Sequence, residues 1–208
     1  MPKLKLSYFS GKGRGEPIRL CLAYGKVAYE DHRIDVEDWP QIKPKMPMHV
    51  IPVLEIDGKQ ICQSLAILKY LAKMTGNGEG HLEAEIDMYA NAFQYFWPVV
   101  GPHFMKFKAQ AVTVEGLLSA LKAEVSDDQI SKQLLPTWEK FLNGSKSGFL
   151  VNDKVSYADL VLWNFLDLIT IWDADGLKHF PNLQKAHKVV AELPAIKEYL
   201  ATRPNTPV

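Results

Sequence analysis

The sequence has few of the residues that mark disulfide-rich, metal-binding or nucleic-acid-binding proteins. It contains two cysteines, Cys21 and Cys62, without a CxxC motif or a cysteine–histidine spacing typical of metal ligands. Each cysteine lies in an apolar segment, which favours a buried thiol. The 24 basic and 24 acidic residues cancel to a formal charge of zero. Charge therefore gives no reason to expect nucleic acid or an anionic membrane as a partner.

Signals for export, membrane insertion and nucleotide binding are also lacking. The opening residues, Met1-Pro2-Lys3, lack the apolar core of a signal peptide, and no run of about 18 apolar residues predicts a membrane span. The expected location is therefore the cytoplasm. Glycines recur in residues 11–15, but neither GxxxxGK[ST] nor GxGxxG is present, so the indication of a phosphate loop is weak.

The first third of the chain predicts an α/β layer. Apolar or alternating segments predict strands over residues 4–9, 29–34, 53–56 and 59–62, with Asp57-Gly58 as the turn of a hairpin. Helices are predicted from Glu16-Pro17 to Gly25 at the C′ position, and after Ser64 as N-cap. Residues 35–50 are expected to be irregular. This order predicts a thioredoxin-like mixed sheet with helices on its faces.

The rest of the chain predicts an all-α helical bundle. The glycine-rich residues 75–80 indicate a linker, which gives domains at residues 1–75 and 82–208. Ser156 and Asp159 have capping-box spacing before a nearly all-apolar helix, and shorter helices are expected from Pro181 and Pro194. A long helix, bent by Pro98 and Gly101-Pro102, is predicted from an apolar stripe of Ile86, Tyr89, Phe93, Phe96, Val100 and Phe104.

The two ends of the hairpin suggest a peptide-binding site. If the Ile51-Pro52 bond is cis, the chain turns sharply and offers the backbone groups of Ile51 to an extended peptide. At the other end, Gln63, Ser64 and the amides of the first helical turn suit a carboxylate. One peptide ending in a carboxylate would span both features. An ordinary βα unit explains the same spacing equally well.

The motifs around these residues resemble those of the cytosolic glutathione transferases. Gln63-Ser64 follows the hairpin and Ile51-Pro52 precedes it. Lys5-Leu6-Ser7-Tyr8-Phe9, Gly13-Arg14-Gly15-Glu16 and Tyr29-Glu30-Asp31-His32-Arg33-Ile34 resemble the sigma class in particular, which is related to the glutathione-dependent prostaglandin D synthases. The resemblance covers the whole chain and is densest through about residue 75. It implies a homodimeric enzyme that conjugates glutathione to hydrophobic electrophiles in detoxification.

The resemblance also implies site residues. Tyr8 would donate a hydrogen bond to the glutathione sulfur and so lower the pKa of the thiol, with Arg14 strengthening the local field. The remaining glutathione contacts would come from Trp39, Lys43, Val50, Ile51, Pro52, Gln63 and Ser64. Within that set, Lys43 would pair with the glycine carboxylate, and Gln63 and Ser64 would hold the γ-glutamyl carboxylate. The electrophile pocket would be lined by Phe9, Gly13, Arg14, Trp97, Gly101 and Phe104.

Three departures from the family pattern bear on these expectations. Tyr95, next to Gln94, stands where members commonly carry an aspartate that reaches the glutathione of the neighbouring subunit. Val50 stands where sigma-class members often carry a lysine. The acidic cluster of the vertebrate prostaglandin D synthases is reduced here to Asn91, Gln94 and Tyr95. We therefore expect no metal.

Other functions stay open on the sequence. The same thiolate would serve a prostaglandin-H D-isomerase or a peroxidase. A glutaredoxin-like reductase would need a cysteine at the start of the first helix, where Arg14-Gly15-Glu16-Pro17 stands instead. A crystallin-like or ligand-carrying protein without turnover is the third alternative, which the presence of Tyr8 and Arg14 disfavours.

Overall fold

The chain forms two compact units in a computed structural model that describes residues 2–76, 82–108, 112–126 and 130–206. The first unit comprises Met1–Glu79 together with Leu193–Thr206, and the second comprises Gly80–Glu192. Among the described residues, no helix is both long enough and apolar enough to cross a membrane.

A four-stranded mixed sheet forms the centre of the first unit. Its strands are β1 (Leu4–Phe9), β2 (Glu30–Ile34), β3 (Val53–Ile56) and β4 (Lys59–Cys62), in the order β2-β1-β3-β4. β1 is parallel to β2 and antiparallel to β3, and β3 is antiparallel to β4. Asp57 and Gly58 both have positive φ, 48° and 85°, as a tight hairpin turn requires. The predicted thioredoxin-like layer is confirmed, with β2 starting one residue later than expected.

The helices of this unit bury apolar faces that the sequence pattern marks. They are α1 (Glu16–Tyr24), the short α2 (Trp39–Ile42), α3 (Ser64–Thr75) and α10 (Pro194–Thr202). Pro17 lies in the first turn of α1, where its missing N–H costs no hydrogen bond. The core of the unit includes Leu6, Ile18, Leu20, Leu54, Ile67, Leu71 and Ile196, all fully buried.

Three local predictions in this unit are wrong. Ser64 is the first residue of α3 and not its N-cap, because the chain turns from β4 into the helix at Gln63, which has φ 74°. Residues 35–50 are not irregular throughout, since prolines start α2 and the 3-10 turns Lys43–Lys45 and Pro47–His49. Gly25 is the C-cap residue with φ −74°, and its Cβ would overlap the side chain of Thr75, so close packing explains the glycine.

The second unit is helical, as predicted. It contains α4 (Leu82–Ala92), α5 (Trp97–Lys108), α6 (Val114–Ser126), α7 (Leu135–Phe141), α8 (Tyr157–Trp172) and α9 (Pro181–Ala191). Most of α8 is buried. Its capping box is present: the Asp159 carboxylate accepts hydrogen bonds from the Ser156 amide at 2.7 Å and the Ser156 hydroxyl at 2.8 Å.

The predicted long helix is interrupted earlier than expected. A 3-10 turn at Phe93–Tyr95 separates α4 from α5. Pro98 is tolerated in the first turn of α5, and Pro102 lies inside that helix. The break therefore precedes both prolines. Of the predicted apolar stripe, Phe104 is half-buried and the other members are buried: Ile86, Tyr89, Phe93, Phe96 and Val100.

The predicted linker begins where α3 ends. Gly76 follows α3 in the left-handed conformation, with φ 74°. Thr75, the first predicted linker residue, is instead the last residue of α3, so this part of the prediction is wrong. The remaining predicted linker residues, 77–80, lie outside the described residues. The domain limits of 1–75 and 82–208 stay a prediction, while the contacts group α10 with the sheet-containing unit.

Candidate active site

The sheet register brings three predicted site residues to one end of the sheet. Ser7 of β1 is opposite Val53 of β3, and Val53 is opposite Cys62 of β4. The next residues along these segments are Tyr8, Pro52 and Gln63. Tyr8 and Gln63, more than 50 residues apart in sequence, therefore lie at the same end of the sheet, which the spacing alone did not establish.

The Tyr8 hydroxyl accepts a hydrogen bond from the backbone N–H of Arg14, with a nitrogen–oxygen distance of 3.0 Å. Burial raises the pKa of Tyr8 above its usual value of 10.0, and this effect outweighs the lowering by the Arg14 amide and by the charges of Arg19 and Arg14. The phenol therefore stays protonated at neutral pH. Because the oxygen accepts from Arg14, its own hydrogen can be donated to an incoming sulfur.

Two glycines let the loop before α1 close over Tyr8. A Cβ on Gly13 would lie 2.5 Å from the Tyr8 hydroxyl oxygen, and Gly13 also has φ +39°. A Cβ on Gly15 would lie 2.7 Å from Cγ of the Tyr8 ring and closer still to Cδ1. The glycines thus allow close approach to a side chain, and the sequence analysis missed this role for Gly15.

Arg19 is a further residue that the sequence analysis missed. Its fully buried guanidinium donates to the carbonyl oxygens of Phe9 at 3.1 Å and Gly11 at 3.0 Å, and lies 5.8 Å from the centre of the Tyr8 ring. Burial alone would lower the pKa of Arg19, but the carboxylates of Asp31 and Glu16 raise it overall, so the charge is retained. The available signal was an arginine inside the apolar run Ile18-Arg19-Leu20-Cys21-Leu22.

The residues at the hairpin ends are placed as follows. The Ile51-Pro52 bond is cis, with Ile51 half-buried and Val50 37% exposed. Gln63 is exposed, and its side-chain amide lies 3.9 Å from the Met48 sulfur. Ser64 begins α3, so its backbone N–H belongs to the first helical turn.

Trp39 and Lys43 lie on the segment between β2 and β3. The Trp39 ring packs edge-on against Phe9, with 5.6 Å between ring centres. Lys43 is exposed at the start of a 3-10 turn, and its carbonyl oxygen lies 3.2 Å from Nδ1 of His49. His49 was not predicted as a site residue.

The residues proposed for the electrophile pocket fall in both units. Phe9, Gly13 and Arg14 belong to the first, so the pocket itself stays a prediction. In the second unit, the Trp97 ring packs edge-on against the rings of Phe93 and Phe96. The ring centres of Phe104 and Trp172 are 6.1 Å apart. Beyond its own helix backbone, a Cβ on Gly101 would meet no heavy atom of the described residues within 4 Å.

The surroundings of α4 also bear on the predictions. Tyr95 is 70% exposed at the end of the 3-10 turn after α4.

Within residues 2–76, 82–108, 112–126 and 130–206, no group of three or more histidine, cysteine, aspartate or glutamate side chains is arranged to hold a metal ion.

Comparison with known proteins identifies the family. Residues 4–73 match the glutathione S-transferase N-terminal domain, and residues 109–203 match the C-terminal domain. The chain is 38% identical to Glutathione S-transferase 1 of Ascaris suum over 100% of both chains, and 33% identical to the human Hematopoietic prostaglandin D synthase over 99% of both. The crystal structure of the glutathione S-transferase from Ascaris lumbricoides superposes with a TM-score of 0.82, at 34% identity over 100% of both chains. The chain therefore belongs to the glutathione S-transferase family.

Proposed function

We propose that the protein is a glutathione transferase that conjugates the glutathione sulfur to hydrophobic electrophiles. The observation that carries this proposal is the state of Tyr8: a half-buried, protonated phenol whose oxygen accepts a hydrogen bond from the Arg14 amide at 3.0 Å. Such a phenol is a strong hydrogen-bond donor at the end of the sheet that it shares with Gln63. Full-length similarity to named glutathione transferases supports the same activity.

The proposed chemistry needs a thiolate at neutral pH. A free thiol has a pKa of about 8.5, so most of it is protonated at pH 7. A hydrogen bond from the Tyr8 hydroxyl stabilises the thiolate over the thiol and lowers that pKa. The thiol proton leaves to solvent, the sulfur lone pair forms a bond to an electrophilic carbon, and the leaving group departs with its electron pair. The protein contributes positioning and electrostatic stabilisation.

Glutathione would lie across the hairpin ends. We propose that the γ-glutamyl carboxylate binds Gln63, Ser64 and the amides that open α3, because a helix N-terminus favours an anion. The backbone of Ile51, beside Pro52, would pair with the cysteinyl unit. Trp39, Lys43 and Val50 complete the proposed set at the glycine end, with Lys43 as the charge partner.

The proposed electrophile pocket, partner and location follow the resemblance. The aromatic rings of Phe9, Trp97 and Phe104, with Gly13, Arg14 and Gly101, would favour apolar electrophiles. We propose a homodimer in the cytoplasm, with Tyr95 unable to form the ion pair that an aspartate would make with a neighbouring glutathione.

A prostaglandin-H D-isomerase is the second candidate. It is supported by the 33% identity to the human Hematopoietic prostaglandin D synthase over 99% of both chains. The same Tyr8-stabilised thiolate would attack one endoperoxide oxygen, forming an S–O bond as the O–O bond breaks and the second oxygen takes up a proton to become a hydroxyl. Loss of a proton from the carbon that bears the first oxygen would then form the ketone, break the S–O bond and release the thiolate. A ligand carrier without turnover is the third candidate.

One experiment separates the candidates. The purified protein is applied to immobilised glutathione, and the eluted fraction is assayed with 1-chloro-2,4-dinitrobenzene and with the prostaglandin endoperoxide. Retention with conjugation of the chloroarene supports the transferase. Retention with D-type product alone supports the isomerase. Retention without any turnover supports the carrier, and absence of retention overturns all three.

A further inference from the structure

The loop that covers Tyr8 is also held by α10 and the residues that follow it. We infer that residues 199–206 are a positioning element for the Tyr8 hydroxyl, acting through the side chains of Glu16 and Lys12. The inference rests on the proposed function, because it concerns the phenol that would activate the glutathione sulfur. It assigns a task to side chains that are not among the predicted glutathione or electrophile contacts.

The position of the Tyr8 hydroxyl depends on the loop of residues 11–15. The Arg14 amide donates to this hydroxyl, and Gly13 and Gly15 lie against the phenol ring too closely for a Cβ to fit. A shift of the loop by a fraction of an ångström would therefore lengthen the hydrogen bond or displace the ring. Either change alters how well the hydroxyl donates to sulfur.

The backbone of this loop is closed onto Lys12. The amides of Gly15 and Glu16 both donate to the Lys12 carbonyl oxygen, at 3.1 and 2.9 Å. The side chains on either side of this turn are buried, since Lys12 is 4% exposed and Glu16 is 2% exposed. Because buried charged groups are held by their partners, those partners determine where the loop lies.

Those partners lie on and after α10. The Lys12 ammonium donates to the carbonyl oxygen of Thr206. The Glu16 carboxylate accepts from the Arg203 guanidinium at 2.8 Å and from the Tyr199 hydroxyl at 3.1 Å. Burial, and then the charge of Glu16, raise the pKa of Tyr199, so this phenol stays a donor. Both flanks of the loop are thus bonded to residues 199–206.

Arg19 links this network to the other side of the loop. Glu16 Oε2 lies 3.5 Å from Arg19 Nη1, and the same Arg19 nitrogen donates to the Gly11 carbonyl oxygen at 3.0 Å. When the Glu16–Arg203 pair is weakened, Glu16 still has the Arg19 guanidinium beside it, at 3.5 Å. A closer Glu16–Arg19 pair would draw Arg19 away from Gly11. The segment after α10 is therefore coupled to the start of the loop as well as to its end.

The test uses variants that keep the unit folded. Tyr199→Phe removes one donor to Glu16 and keeps the ring, and Arg203→Lys keeps the charge but loses the guanidinium fork. Lys197→Ala is the matched control, because Lys197 is an exposed cation on the same helix. For each protein, the ultraviolet absorbance of glutathione thiolate in the complex is titrated with pH, kcat and KM are measured with 1-chloro-2,4-dinitrobenzene, and thermal unfolding is recorded.

We expect Tyr199→Phe and Arg203→Lys to raise the pKa of the bound thiol by about half a unit to one unit, which lowers the ratio of thiolate to thiol at pH 7 about three- to tenfold. The value of kcat should fall, KM for glutathione should change little, and Lys197→Ala should match the wild type. An unchanged thiol pKa in both variants, with only a lower melting temperature, would reduce the network to a structural role and overturn the inference. A wild-type protein that binds glutathione without forming thiolate would instead contradict the proposed function itself.

Discussion

Gly15 lies beneath the ring of Tyr8 so closely that a Cβ on Gly15 would be 2.7 Å from the Cγ atom of the ring. This is well inside normal van der Waals contact. The glycine therefore sets the distance at which the loop covers the phenol, and it connects the loop conformation to the chemistry proposed for Tyr8.

Gly15→Ala tests this close approach. The added methyl group must displace the ring or the loop, so we expect the free energy of unfolding to fall by about 1–3 kcal/mol and conjugation to fall with it. Gly116→Ala in α6 is the control, because its Cβ would lie at ordinary van der Waals distances, 3.5 Å from Thr113 Oγ1 and 3.6 Å from Val112 Cβ, and the change should stabilise the protein by about 0.5 kcal/mol. Urea unfolding and the chloroarene assay measure both effects. If both variants had the same free energy of unfolding and the same activity, the Tyr8 ring would be able to move aside at no cost in stability, which would contradict this prediction.

Gln63→Gly separates stability from glutathione binding. Gln63 holds φ 74°, which costs a non-glycine residue free energy, so glycine should raise the free energy of unfolding by about 1 kcal/mol. The same change removes the amide proposed to hold the γ-glutamyl carboxylate, so elution from immobilised glutathione should occur earlier. Lys26→Gly, at φ 52°, should stabilise the protein without changing elution. Unaltered retention of Gln63→Gly would remove Gln63 from the proposed site.

Asp159 predicts a pH dependence of stability. Its carboxylate is buried in the capping box of α8, and burial raises its pKa from 3.8 to about 6 against the hydrogen bonds from Leu150 and Ser156. Because the folded-state pKa is above the unfolded one, its contribution to stability is fully present below pH 3.8 and is lost as the pH rises through about 6.

The comparison with Asp159→Asn isolates this contribution. Asparagine does not titrate, so between about pH 4 and pH 7 the unfolding free energy of the wild type should fall relative to the variant by up to about 3 kcal/mol. Urea unfolding at several pH values measures the difference. A difference that stays constant with pH, or grows in favour of the wild type, would mean that Asp159 is ionised at little cost in the folded protein.

Arg14→Ala distinguishes the two ways in which Arg14 acts on Tyr8. The backbone N–H that donates to the phenol is kept in this variant, whereas the positive charge that lowers the pKa of Tyr8 is lost. We therefore expect a smaller loss of kcat for Arg14→Ala than for Tyr8→Phe, measured with 1-chloro-2,4-dinitrobenzene. An equal or larger loss would assign the main effect to the guanidinium.

The strands, the hairpin and the capping box follow from local rules. Asp57-Gly58 supplies positive φ at both turn positions, and Ser156 with Asp159 supplies two reciprocal hydrogen bonds. These features depend on residues within a few positions of one another. A sequence pattern is therefore sufficient to predict them.

The residues whose roles the sequence pattern did not predict depend on contacts with residues outside their own local segment. Gly25 is explained by Thr75, and Gly15 is explained by the Tyr8 ring, so neither glycine could be interpreted from its neighbours alone. An arginine inside the apolar helix α1 is explained only by the fold, in which the Arg19 guanidinium donates to the carbonyl oxygens of Phe9 and Gly11. In the same way, the hydrogen bond from Arg203 to Glu16 joins residues that are separated by nearly the whole length of the sequence.

The titration of glutathione thiolate in complexes with the wild type and with Tyr8→Phe tests the central claim most directly. Tyr24→Phe serves as a control for loss of a phenol elsewhere. The account predicts that the bound thiol has a pKa below the free value of about 8.5 in the wild type and in the control, and a clearly higher pKa in Tyr8→Phe with retention on immobilised glutathione preserved. The same thiol pKa in all three proteins would contradict the assignment of Tyr8 as the group that activates the sulfur.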